Sequence, residues 1–205
     1  MIMSVTADAP RPYHHGDLRV ALLAESERIL EADGIGALTL RAAARGVGVS
    51  HAAPKNHFGD VAGLLSELAA IGFNRFSERL MRAVITAGRE PRERAQALGR
   101  AYVAFAKAHP GLFLLMFRGE RLDAARPALR DALEGLHEAL SAAGSRRAAL
   151  GARPTAEETA RWSLVHGFAL LLIDGRLAPA LGGRPSARDA DRLLEAIIDA
   201  AKIGD

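Results

Sequence analysis

The sequence predicts an all-α protein of about nine helices, and three observations carry that prediction. Ala, Leu and Arg dominate while aromatics make up only 5% of the chain, a balance that favours helices over strands. Apolar residues recur at helical rather than alternating spacing, as Leu18, Leu22, Ile29 and Leu30 do near the start. Gly, Pro and capping residues fall between the apolar runs, where helix stops and starts belong. No convincing strand and no internal repeat interrupts the series.

The elements follow in order. Residues 1–16 form a Pro-rich N-terminal arm. A first helix runs from about Asp17 to Asp33, with Gly34 as its stop. Thr39 caps a very short helix through Arg45; Gly46 and Gly48 break the chain, and Ser50 caps the next short helix through His57. Asp60 starts a long helix to about Ala87. Pro91, at a first helical position, opens a helix to His109, where Pro110 and Gly111 bend the chain into "LFLLMF". Another helix covers about Arg126 to Ala143. Thr155-Ala156-Glu157-Glu158 is a capping box for a helix to about Asp174, and Ser186 to Asp189 opens the last helix.

Composition narrows the classes of function. The chain of 205 residues, 49% apolar and 25% charged, suits a soluble globular protein with a sizeable core. With no cysteine, disulfides and thiolate metal sites are excluded, and a reducing cytoplasm is expected. The start, "MIMSVTADAPRPYHH", has no apolar run resembling a signal peptide. Phe168 to Ile173, an apolar run in the second half matched in length by Leu112 to Phe117, is far shorter than the ~18 residues of a membrane span. No paired carboxylates, Ser/His/Asp grouping, phosphate loop or metal-ligand spacing suggests an enzyme, and no cofactor is implied. His14-His15, on an arm without Cys or an obvious carboxylate partner, reads as a solvated or minor-groove-proximal pair rather than a metal site.

Charge does not single out a nucleic-acid module. The net charge is +3, yet residues 1–60 hold six Arg/Lys against seven Asp/Glu. Local pattern must carry the claim. Two short helices joined by a Gly-containing turn and backed by a longer helix form a helix-turn-helix unit. Its expected core is Leu40, Ala43, Ala44, Val47, Val49, Pro54 and Phe58, leaving His51, Ala52, Ala53, Lys55 and His57 facing outward. With Ser50 as cap, Pro54 is the fourth helical residue and forfeits one bond near a helix end.

At these residues a resemblance emerges. "TLRAAARGVGVSHAAPKNHFGDVAGLL", preceded by "YHHGDLR" and followed by "HPGLFLLMF" and "WSLVHGFALL", resembles TetR-type transcriptional regulators, in particular a subfamily with a Trp-x-x-x-His-Gly motif. The resemblance runs from about Pro12 to Leu172. It implies a DNA-binding domain over residues 17–66 and an effector-binding and dimerisation domain over 67–205. Thr39, Arg41, Ser50, His51, Ala52, Ala53, Lys55 and His57 are then the DNA-facing residues, and double-stranded operator DNA is the partner. Two positions depart from the family pattern: Lys55 stands where a phosphate-contacting tyrosine is usual, and Val61 where a lysine is usual.

The C-terminal half poses two questions. Trp162 and His166 lie one turn apart on one face and either border a ligand pocket or belong to the core. The resemblance places an effector pocket in this domain, with Phe105, Phe113, Phe117, Trp162 and His166 as its expected border and an apolar small molecule as its ligand. "FALLLI" is apolar on every face, so it is expected to be buried on both sides, partly against a second copy. Phe168, Leu172, Leu194, Ile197 and Ile198 are the expected dimer interface. The overall reading is a homodimeric repressor released from DNA by an effector. The alternative is a dimeric ligand-binding or interaction protein with weakened DNA binding.

Overall fold

The computed structural model describes residues 15–142, 155–182 and 186–201. Among these residues there are nine α-helices and no strand. They are α1 (His15–Asp33), α2 (Leu40–Val47), α3 (Ala53–Phe58), α4 (Val61–Thr86), α5 (Pro91–Ala108), α6 (Pro110–Met116), α7 (Pro127–Ala142), α8 (Ala156–Ile173) and α9 (Ala187–Ala200). Most of the expected N-terminal arm, including His14, lies outside the described residues.

Caps fix most of the boundaries. Thr39 accepts a hydrogen bond from the Ala42 amide and Asp60 one from Gly63, while Thr155 and Ser186 each close a reciprocal capping box. Gly48 ends α2 at φ 76°, ψ 30°, the left-handed conformation a glycine adopts without a Cβ penalty.

The start of α3 differs from the sequence expectation. Ser50 makes no side-chain cap; it sits in a turn with its carbonyl accepting from Ala53, and Ala52 is the helix N-cap. The helix therefore begins later, and Pro54 is its second residue rather than its fourth. There the absent N–H is one that no helix could satisfy internally, so the proline forfeits no helical bond. The six-residue helix is too short to stand alone. Pro54 and Phe58, four residues apart, are both buried and fasten it to the body.

A continuous apolar core joins α1–α3 to the remaining helices, running from Leu22, Leu30, Ala43 and Phe58 through Leu64 and Leu68 to Phe105, Phe113, Leu194 and Ile198. The expected boundary at residue 66 falls inside α4, which continues unbroken for 26 residues. Where α1 meets α6 the backbones nearly touch: a Cβ on Gly111 would stand 2.7 Å from the Leu30 carbonyl oxygen. No helix among the described residues is long and apolar enough to cross a membrane.

Candidate functional site

The exposed tip of the molecule is built by α2, α3 and the turn between them. Arg41 on α2, Ser50, His51 and Ala52 in the turn, and Lys55 on α3 are all exposed. Ala53 and His57 are half-buried, the His57 ring lying 6.1 Å from that of Phe58. Thr39 is exposed, but its hydroxyl oxygen serves α2 as cap. Val61, where the family pattern has a lysine, is half-buried and packs against the core at the first turn of α4. Small side chains and one long cation thus face outward from a short helix whose inner face is anchored.

Two polar links tie this tip to the rest of the protein, and neither was evident from the sequence. The Glu31 carboxylate at the end of α1 accepts from the Gly111 and Leu112 amides at the start of α6, at 2.8 and 3.0 Å. These are donors that the helix leaves unsatisfied, beside the positive end of its dipole. Glu67 on α4 accepts from Arg19 on α1 at 2.6 Å and from Arg126 at 3.2 Å. Arg126, immediately before α7, also donates to the carbonyl of Phe58, the last residue of α3. The ends of α1 and α3 are therefore held by groups that belong to α6, α4 and the entrance of α7.

In the C-terminal half, the rings of Phe113, Phe117, Trp162 and His166 come together in mutual contact, whereas the sequence expects them to border a pocket. His166 lies 4.5 Å from Phe117, 5.4 Å from Phe113 and 5.4 Å from Trp162, centre to centre. Phe105 stands apart from these four; its ring contacts Phe76 and His109. The rings are packed on one another, and Trp162 covers them with 52% of its surface exposed.

Sequence reasoning missed Tyr102, the polar centre of this cluster. Its hydroxyl oxygen accepts from Trp162 Nε1 at 3.3 Å and lies 2.8 Å from His166 Nδ1. An indole N–H can only donate, so the tyrosine oxygen accepts from Trp162; its own proton can point to Nδ1 when His166 is protonated at Nε2, and in the other tautomer Nδ1–H donates to the same oxygen. Burial lowers the His166 pKa, favouring the neutral imidazole. Burial also pushes the Tyr102 hydroxyl far above its ordinary range, against a smaller opposing effect of the Trp162 hydrogen bond. The available signal was that a tyrosine one turn before Phe105 must satisfy a buried hydroxyl.

The expected dimer interface requires correction. Phe168, Leu194 and Ile198 are 4%, 0% and 1% exposed within one protomer, so their side chains fill its own core and cannot meet a second copy. Leu194 and Ile198 of the α9 stripe are consumed by packing within the protomer, and ion pairs flank the junction of α9 with α5: Arg92 donates to Asp199 at 2.8 Å, and Arg100 pairs with Glu195. Leu172 and Ile197 are half-buried. The outward face of α8 is instead Ser163, Gly167 and Leu171, spaced four residues apart; Leu171 is 42% exposed and nothing lies within 4 Å of a Cβ placed on Gly167.

An all-helical body, a helix-turn-helix tip and an aromatic-centred C-terminal half define the architecture of a helical transcriptional regulator. Comparison with known proteins agrees. Residues 95–201 match the family model described as "Tetracyclin repressor-like, C-terminal domain". A solved structure of a protein of unknown function from Rhodococcus sp. RHA1 is 34% identical, covering 96% of this chain and 100% of that one at a TM-score of 0.68. The TetR family transcriptional regulator PfmR from Thermus thermophilus is similar in fold, with 19% identity, coverage of 88% and 93%, and a TM-score of 0.57. So is a TetR-like transcriptional regulator from Rhodococcus sp. RHA1, at 17% identity, 97% and 100% coverage, and a TM-score of 0.60. No curated protein gives a significant match. The chain belongs to the TetR-like family of transcriptional regulators.

Proposed function

We propose that the protein is a transcriptional repressor that binds operator DNA as a homodimer and leaves it when a small apolar molecule occupies its C-terminal half. The observation that carries this reading is the build of α3, which buries Pro54 and Phe58 and presents Lys55 outward. An exposed helix with small side chains fits the major groove, and a lysine on it supplies a cation for the phosphate backbone. The remaining DNA-facing set is Arg41, Ser50, His51, Ala52 and the half-buried Ala53 and His57, with Thr39 holding α2 in register.

A homodimer is supported by the outward face of α8, where Leu171 is exposed and nothing lies within 4 Å of a Cβ placed on Gly167; the half-buried Leu172 follows Leu171, and the half-buried Ile197 keeps part of its surface open on α9. Two copies of α3 must meet successive major grooves about 34–36 Å apart, so a modest change in their separation prevents joint docking. The effector site is assigned to Phe113, Phe117, Trp162 and His166 with Tyr102 added, and Phe105 behind them. Because the rings are in contact, an effector enters by displacing the exposed Trp162 indole. It then meets the His166 imidazole as a hydrogen-bonding group. Phe113 and Phe117 flank the end of α6, whose first amides are held by Glu31, so movement of α6 reaches α1 directly. An effector shifts the population only by as much as it favours the displaced arrangement.

Fluorescence anisotropy with the DNA flanking the protein's own gene tests the reading. Salt-sensitive binding at two chains per site is expected. Absence of binding to this DNA and to a random-sequence pool would leave the ligand-binding alternative.

A further inference from the structure

We propose that the cleft between the C-terminal half of α4 and the first turns of α5 is a second ligand site, separate from the aromatic cluster, that takes an amphipathic monoanion with a carboxylate head. The cleft is a groove open to solvent with a volume of about 650 Å³, the scale of a small-ligand site. Between the charged groups it is lined by the methyl groups of Ala83 and Ala87 from the α4 side and Ala97, Ala101 and Ala104 from α5, with Thr86 and Gln96 beside them. Its walls carry three guanidinium groups, Arg79, Arg82 and Arg100. None of the aromatic-cluster side chains lines it.

The charge balance selects the ligand. Arg100 is paired with Glu195, and Arg82 lies 3.9 Å from Glu78 in a solvent-exposed pair. Arg79 is half-buried and has no hydrogen-bonding or ionic partner among the described residues. The fourth charged wall residue, Glu93, folds its carboxylate against Gly88 in the loop after α4. Since α4 and α5 run back over one another from that loop, Glu93 lies at one end of the cleft and Arg79 at the other. One uncompensated cation at the Arg79 end matches a single negative charge, which a guanidinium can grip through two parallel hydrogen bonds. The alanine lining leaves room for an apolar body between Arg79 and Glu93. A phosphate dianion would exceed the free charge and leave that lining bare, and a neutral chain would leave Arg79 unpaired.

Titration calorimetry of the full-length protein with sodium octanoate tests this, using 1-octanol and inorganic phosphate as separated body and head. Octanoate should bind once per chain, and Arg79→Gln should weaken it at least about tenfold, the loss expected for one charge-assisted contact. Ala97→Leu, which fills the cleft at a half-buried position, should weaken it similarly with the thermal melt preserved. Octanol and phosphate should each bind at least about tenfold more weakly than octanoate. Trp162→Phe should leave octanoate affinity unchanged. The proposal is overturned if octanoate fails to bind, if neither cleft variant alters its affinity, if octanol or phosphate binds as tightly, or if Trp162→Phe removes the binding.

Discussion

The helix-turn-helix tip and the C-terminal half solve the same packing problem with opposite materials. At the tip, two short helices are pinned by few groups: Ala43 and Ala44 in the core, Pro54 and Phe58 beneath α3, a threonine cap and a left-handed glycine. In the C-terminal half, longer helices meet through rings packed edge to face around Tyr102 and His166 and through ion pairs between α5 and α9. The first arrangement offers little area of its own, so its geometry depends on groups from elsewhere: the α6 amides that hold Glu31, and Arg126 at the end of α3. The second carries polar groups inside an aromatic packing, so it can change when those groups are rearranged. A rigid reader coupled to an adaptable sensor is the division of labour the proposed function needs.

Replacing core and surface positions of the C-terminal half should have the largest effects and should separate cleanly. Ile198→Asp buries an unpaired charge beneath α5 and should cost more than about 4 kcal/mol, seen as loss of cooperative melting by circular dichroism. Leu171→Asp, on the outward face of α8, should leave helicity intact but convert dimer to monomer in ultracentrifugation. If Leu171→Asp stays dimeric, the interface lies on another face.

Breaking the link between the two regions comes next. Glu31→Ala leaves the Gly111 and Leu112 amides without their acceptor and should cost about 2–3 kcal/mol in chemical denaturation, since hydrogen bonds to charged groups contribute about 1.5–3 kcal/mol. The same variant should reduce the ability of an effector to release DNA. At the tip itself, Gly48→Ala meets no neighbouring atom yet must hold φ 76°, so about 1 kcal/mol of strain is expected without any change in packing. A larger loss would mean that α2 itself is rebuilt.

The smallest effect expected is one of pH. The folded protein holds His166 neutral, its pKa lowered by burial from the ordinary 6.5. As the pH falls below that value the unfolded chain takes up a proton that the folded one resists, so stability declines. His166→Gln should remove this part of the decline, measured as the difference in Tm between neutral and mildly acidic buffer. An identical pH dependence in both proteins would show that the imidazole is not held neutral.

The two regions were unequally legible in the sequence. The helices could be placed because caps and breakers are local: Thr39, Asp60, Thr155 and Ser186 each act on the amide three residues on. Ser50 was misread as a cap because a serine before a short helix has the same local pattern whether or not the chain turns once more first. The inward face of α3 followed from i, i+4 spacing. The links through Glu31 and Arg126 join residues 68 to 81 positions apart, and no periodicity encodes such partners. The α9 stripe was read as an interface because amphipathic spacing reveals that a face is covered, without revealing whether the cover is the same chain or another. Ile198 is covered by its own chain, whereas Leu171 remains open.

The central claim is that α3 docks in DNA with Lys55 against the phosphate backbone, and the salt dependence of binding tests it most directly. Log K for the flanking DNA should be measured against log salt concentration for wild type and Lys55→Ala. Loss of one phosphate contact should weaken binding to all sequences alike and reduce the magnitude of the slope by about one. An unchanged slope and affinity would place Lys55 away from the backbone and contradict the docking of α3.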